Sequence, residues 1–151
     1  MYSIFDVANW FLEKEEMTHK KVQKLCYYAQ SWSYTLKDRP IADDNFESWV
    51  HGPVSPKLYE KYKNSGYKEL SADNDFVCKF KLEDEELLES VWLTYGKCTA
   101  NALEVLSHSE APWRLARIGL QGDEKSSNVI SPKHMKEYYL KVYEGDLKEG
   151  W

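Results

Sequence analysis

Histidine and arginine are the side chains through which this chain could do chemistry, and His51 has the most suggestive surroundings. It lies in Trp49-Val50-His51-Gly52-Pro53-Val54, a rigid aromatic stretch, with Asp43 and Asp44 a few residues upstream. A carboxylate that orients an imidazole makes it a usable general base. A histidine bonded to backbone in a tight turn accounts for the same residues without any reaction. With no motif around His51, that simpler reading is favoured. Further along, His108 precedes Arg114 and Arg117, which lie three apart and share a helix face beside Trp113. Two guanidinium groups so placed can grip a carboxylate or phosphate through forked hydrogen bonds. Pairing with Glu104, Glu110 or the last helix is the structural alternative, and it is favoured because a buried arginine ordinarily has an internal partner. One hypothesis is therefore a small hydrolase or transferase built on His51 or His108 with Arg114 and Arg117.

Other searches for a reaction centre fail. Gly96-Lys97-Cys98-Thr99 superficially resembles a phosphate-binding loop, but Cys98 stands where Ser or Thr must follow the lysine, and Val91 where glycine is needed. Neither a GxSxG elbow nor an HExxH pair is present. His19, His51, His108 and His134 form no i, i+4 pair that could seat a metal. Cys26, Cys78 and Cys98 are odd in number and include no CxxC, which argues against both a zinc knuckle and a disulfide framework. No catalytic residue, metal or cofactor is expected.

The elements that must position these residues are mostly helical. Ser3 opens a helix over residues 4–15, and Thr18 caps a second with Val22, Leu25, Cys26, Ala29, Ser33 and Leu36 on its apolar face. Lys20, Lys21, Gln23 and Lys24 fall on the opposite, polar side. Prolines and glycines break the helical period from Lys37 to Pro56, so a small β-hairpin is expected around residues 40–54. Ser55-Pro56 reads as an N-cap and first helical position. Residues 57–64, 84–95, a helix capped by Thr99, and a helix opened by Ser131-Pro132 complete about six helices, with Pro112 beginning a further turn. Phe76–Phe80 is a weak strand candidate. The fold class is mainly α, one compact domain.

Composition excludes several function classes. The chain has 151 residues with a net charge of −5, divided evenly between its halves, and no basic arm. Binding nucleic acid through phosphates needs clustered Lys and Arg, so that role is disfavoured; the Lys20, Lys21 and Lys24 face is its remaining basis. No apolar run approaches the ~20 residues of a membrane span, and the acidic start does not read as a signal peptide, so a cytoplasmic protein is expected. Aromatic residues make up 15%. Tyr, Trp and Arg dominate the energetics of protein interfaces, and periodicity places about a third of these rings on the surface.

The order of segments is more specific than any one of them. A lysine-rich helix ending VQKLCYYAQSW is followed by FESWVHGPVSPKLYEKY, then LSHSEAPWRLAR, then ISPKHMKEYY. This order resembles the Panacea antitoxin domain, a phage-associated family of toxin–antitoxin partners, from about Tyr2 to Tyr143. The resemblance implies a mainly α domain, assigned to residues 1–145; by their sequence, residues 146–151 are expected to form a flexible tail. It also implies a non-enzymatic antitoxin that neutralises a toxin encoded nearby by binding it directly, some members acting as adaptors that deliver the toxin to a protease. The motif positions it carries over are Trp49, His51, Gly52, Pro53, Val54, His108, Pro112, Trp113 and Arg117. None receives a catalytic role, and all are expected to build the fold or meet the partner.

Overall fold

Seven α-helices form among the described residues, and most begin where a side chain can receive the free N–H groups of the first turn. The computed structural model describes residues 1–149 except 74, 76 and 77. Helix α1 (Ile4–Lys14) is capped by Ser3, whose hydroxyl accepts from Phe5 N. Strand β1 (Met17–Thr18) leads into α2 (His19–Lys37), capped by the Thr18 hydroxyl. The hairpin follows as β2 (Glu47–Trp49) and β3 (Gly52–Val54). Ser55 then caps α3 (Pro56–Tyr62), with proline in its first turn where no N–H partner is required. A short β4 (Glu69–Leu70) precedes α4 (Leu82–Tyr95), α5 (Ala100–Ser109) capped by Thr99, α6 (Ala111–Ala116) and α7 (Pro132–Glu149).

The expected mainly α fold and its hairpin are both present. The turn expected at Pro112 is a short helix, α6, which makes seven where about six were expected. A second two-stranded sheet was not anticipated: β1 pairs antiparallel with β4, Met17 opposite Leu70. The strand expected at Phe76–Phe80 falls partly on residues outside those described, and Cys78 to Phe80 are irregular. Regular helix continues past residue 145 to Glu149.

Helix α2 is the axis around which the rest packs. It touches α1, α3, α4, α5, α7 and β3, so every residue from Val22 to Ser31 is buried. Leu25, Cys26, Tyr27, Tyr28 and Ala29 are fully buried; a large apolar side chain in such a place contributes roughly 1.5–3 kcal/mol. The aromatic excess is mainly core. Tyr28 stacks on Tyr95 at 4.0 Å, and Tyr27 meets Phe46 edge-on at 5.6 Å. Among the described residues only Tyr59, Tyr67 and Tyr143 of the aromatic side chains are exposed, Tyr67 alone largely so, far fewer than the expected third.

Two buried carboxylates pin helices to this core. Glu110, between α5 and α6, accepts from the hydroxyls of Tyr28 at 2.6 Å and Tyr139 at 2.8 Å, joining α2 and α7. Burial holds its carboxyl above the usual range, although both hydroxyls oppose the shift. Asp84, in the first turn of α4, accepts from Tyr2 at 2.7 Å and from Lys37 and Arg39 at 3.1 Å each. Burial alone would raise it, but these partners hold it below the usual carboxylate range.

Candidate functional site

The hairpin that carries Trp49 to Val54 is held from beneath by polar side chains of α2. Gln23 makes a two-way bond with Ser55: its Nε2 donates to Ser55 O at 3.0 Å and its Oε1 accepts from Ser55 N at 2.7 Å. Nearly two turns further on, Gln30 accepts from Ile41 N and Ala42 N, and donates to Ala42 O and Asp44 O. Between them Lys24 donates from Nζ to Pro53 O at 3.2 Å. These bonds satisfy the backbone of a segment that has little regular structure of its own, which is the condition for burying it.

The lysine face expected on the solvent side of α2 is therefore corrected. Lys24 is 1% exposed and Gln23 is 2% exposed. Lys20 pairs with Glu104, and Lys21 donates to Gly96 O at 2.7 Å. Conversely Leu36, expected inward, is 48% exposed. From Val22 to Ser31 the helix is packed on all sides and has no polar face left, so period-3.6 reasoning misplaces its polar and charged residues there.

Two strands and one distant helix pair build the hairpin's other wall. Glu47 pairs with Val54 and Trp49 with Gly52, so the turn falls at Val50 and His51. Residues 128–130 add a further edge through Ser48 N to Asn128 O and Ile130 N to Phe46 O, both 2.8 Å. From α6, Trp113 donates its indole N–H to Trp49 O at 2.9 Å. Arg117 is buried against the Trp113 ring at 4.9 Å, donating to Ser48 O at 2.7 Å, Gln121 O at 3.3 Å and Glu124 O at 2.5 Å. Arg117 thus has internal partners, as the favoured reading expected, but they are backbone carbonyls rather than Glu104, Glu110 or the last helix; Arg114 is exposed beside it, and the alternative of a shared ligand-gripping face is not formed. Pro112 and Trp113 are buried, and Trp113 stacks at 4.0 Å on His108.

The acid–base pairing weighed for His51, already the less favoured reading, does not form. Asp43 accepts from Ile4 N and Asp44 from Lys57 N, so both are occupied away from the imidazole. His51 Nδ1 instead lies 3.4 Å from Glu104 Oε2 on α5. Burial would raise the Glu104 carboxyl, but Lys20 and His51 hold it below the usual range. Burial lowers His108, partly opposed by the Glu104 charge.

An imidazole that is 77% exposed on a carboxylate at this distance is a weak surface pair. The nearby hydroxyl, Ser107 Oγ, is buried and donates to Glu104 O at 3.0 Å. It faces no open space in which a substrate could meet it, so nucleophile, base and anion-gripping arginines do not converge. Among the described residues no group of three His, Cys, Asp or Glu side chains is placed to hold a metal, and no helix is long and apolar enough to cross a membrane.

What the motif does border is a groove of about 650 Å³. Trp49, Val50, His51, Val54 and Tyr59 line it together with Asp123, Lys125, Ser126 and Ser127. Trp49 is half-buried rather than anchored in the core; its ring meets Tyr59 edge-on at 4.7 Å, and its indole N–H donates to Glu47 at 2.9 Å. Gly52 and Pro53 are buried beneath this surface. The sequence motif thus divides into an outer pair, Trp49 and His51, a largely buried Val54 that still borders the groove, and a supporting set, Gly52, Pro53, His108, Pro112, Trp113 and Arg117. Tyr59 and Glu104 were missed. Tyr59 stands in the LYEKY run directly after the motif, whereas nothing local marks Glu104 as a partner of a residue 53 positions away.

Comparison with known proteins gives a consistent picture. A family described as "Antitoxin SocA-like, Panacea domain" matches residues 22–114, which run from Val22 inside α2 through the hairpin, α3, α4 and α5 to Arg114 in α6. The match begins and ends inside the expected Tyr2 to Tyr143 span, leaving α1 and α7 outside it. Antitoxin SocA of Caulobacter vibrioides (strain NA1000 / CB15N) is 30% identical over 71% of this chain. The chain spans 66% of that relative's length, slightly under two thirds. No solved structure matches the chain significantly.

Proposed function

The chain belongs to the SocA-like Panacea antitoxin family, and from that premise we propose that it is an antitoxin which neutralises a cognate toxin by direct contact at the Trp49–Tyr59 groove. The observation that carries this reading is the division of the family motif. Gly52 and Pro53, with Arg117 just beyond the matched residues, are consumed in holding the hairpin, while Trp49 and the largely buried Val54 line an open groove. A rigid support beneath half-exposed Trp and Tyr side chains is what a binding hot spot requires, because preformed anchors lose little entropy on association.

Occupancy rather than catalysis is the proposed mode of action. His51 is exposed with one weak partner, Arg117 is saturated by carbonyls, and Ser107 is closed off. The proposed setting is the cytoplasm, with a toxin encoded nearby; delivery of the bound toxin to a protease is compatible with the same contact. The test is co-expression with the neighbouring reading frame. Growth rescue and copurification should both survive His51→Asn and both fail when Trp49 and Tyr59 are replaced together by Ala. Rescue lost in the histidine variant, with complex formation unchanged, would contradict it.

A further inference from the structure

Lys24 is buried under the groove's own turn. Its Cε would stand 2.7 Å from a Cβ at Gly52, and its Nζ 3.3 Å from the same point, so the turn rests on the lysine stem. Gly52 has φ +108°, a conformation that side chains other than glycine rarely adopt, and the missing side chain is the space the amine occupies. The Ser107 hydroxyl lies 3.2 Å from that point on the side of α5.

Among the described residues the amine makes one hydrogen bond, to Pro53 O. An ammonium carries three donors and no acceptor, so in this place it leaves two N–H groups dry. A neutral amine is better matched. The charged neighbours do not reverse this. On α2, Lys20 repels the ammonium, and His19 lies within its field. On α5, Glu104 attracts it, but Glu104 is already shared by Lys20 and His51 of the hairpin. His108, also on α5, feels the lysine as a like charge.

We propose that Lys24 is a protonation-controlled prop for the Val50–Val54 turn, and that its charge state sets whether the groove is shaped to receive its partner. The inference rests on the groove reading above. Burial first, and Lys20 second, push the amine from 10.5 down to about 7. An unfolded chain therefore keeps a proton that the folded chain has released between about pH 7 and about pH 10.5. Docking of the turn strengthens as pH rises through that window. Below about pH 7 both states hold the proton, and the full cost of a buried ammonium is present. On the acid side the turn lifts to let water reach the charge, and Val54 and Trp49, which wall the groove, move with it.

The test is NMR on the full chain, following the Lys24 side-chain nitrogen, the Gly52 amide and the Trp49 indole through the neutral range. All three should titrate together with a midpoint near about pH 7. His51→Asn and His108→Asn should keep that midpoint, and Lys24→Met should abolish the titration of the hairpin signals. Affinity for the toxin should be several-fold weaker on the acid side in the parent and indifferent to pH in Lys24→Met. A Lys24 nitrogen that titrates like a free lysine would overturn the inference whether or not the variant folds. So would hairpin signals that follow a histidine and persist in Lys24→Met, or a parent affinity that ignores the midpoint. The titration needs no toxin, so its failure is distinct from failure of the groove reading, which the Trp49 and Tyr59 substitutions decide.

Discussion

The indole of Trp113 donates a 2.9 Å hydrogen bond to the backbone carbonyl of Trp49, joining two segments 64 residues apart into one wall. Arg117 extends the join by stacking on Trp113 and donating to Ser48 O. WVHGPV and HSEAPWRLAR are specific in combination because each supplies what the other lacks. The hairpin exposes carbonyls that α6 satisfies, and α6 is too short to hold itself without them.

Trp113→Phe keeps a ring against His108 and leaves Trp49 O without its donor. An unsatisfied buried carbonyl costs about 1–3 kcal/mol, so chemical denaturation should show a loss of that size. Amide exchange should quicken most at residues 48–50. A variant as stable as the parent would mean that water reaches this carbonyl.

Gly52→Ala should be worse than Gly119→Ala. Both glycines have positive φ, +108° and +90°, so both substitutions strain the backbone by roughly 1–3 kcal/mol. Only at Gly52 would the new Cβ collide with a neighbour, Lys24 Cε, and overpacking adds about 1–3 kcal/mol. Equal losses in thermal or urea unfolding would show that the lysine yields freely.

Much of this was legible in the sequence, and the part that was not has one cause. Ser3, Thr18, Ser55-Pro56, Thr99 and Ser131-Pro132 mark helix starts because a cap is a local exchange between a side chain and the next turn. The hairpin was legible from Gly52-Pro53 for the same reason. Gln23, Lys24 and Gln30 were not, since their burial follows from what packs on α2, and they bond to residues 11 to 32 positions away. Which of the motif side chains would support the hairpin and which would face outward was not legible either, since the half-buried place of Trp49 depends on contacts with Tyr59 and Glu47 that the motif does not encode. The Asp43 and Asp44 pairing with His51, the less favoured reading, does not form because Asp43 accepts from Ile4 N and Asp44 from Ser55 and Lys57 N.

The two buried carboxylates should give opposite pH signatures. Asp84 is held below its usual range, so its contribution is present above an unfolded value near 3.8 and is lost as pH falls through the lower folded value. Glu110 is held above its usual range, so the folded chain keeps a proton that the unfolded chain has shed. Its contribution is full below an unfolded value near 4.5 and declines as pH rises through the higher folded value. Glu110→Gln retains an acceptor for Tyr28 and Tyr139 without the charge, and should be at least as stable as the parent at neutral pH. Asp84→Asn should lose stability there, since Lys37 and Arg39 keep their charges. Urea unfolding across pH checks both signs; a destabilised Glu110→Gln would show that the carboxylate is needed in its ionised form.

The internal partners of Lys20, Lys21 and Lys24 predict negligible affinity for DNA or RNA. Binding through free lysines would weaken steeply with salt, with a slope of nearly one per phosphate contact. Fluorescence anisotropy at low and moderate ionic strength should find neither appreciable binding nor such a slope. Tight, salt-sensitive binding abolished by Lys20→Glu and Lys21→Glu would favour a regulator of nucleic acid.

Calorimetric titration of the purified chain with its cognate toxin tests the central claim most directly, comparing the parent with Trp49→Ala plus Tyr59→Ala after NMR has verified the variant's fold. Hot-spot aromatics contribute about 2 kcal/mol or more each, so the account predicts a one-to-one complex weakened by roughly a hundredfold or more in the folded variant. An affinity unchanged by the double substitution would place the toxin elsewhere and contradict the assignment of the groove.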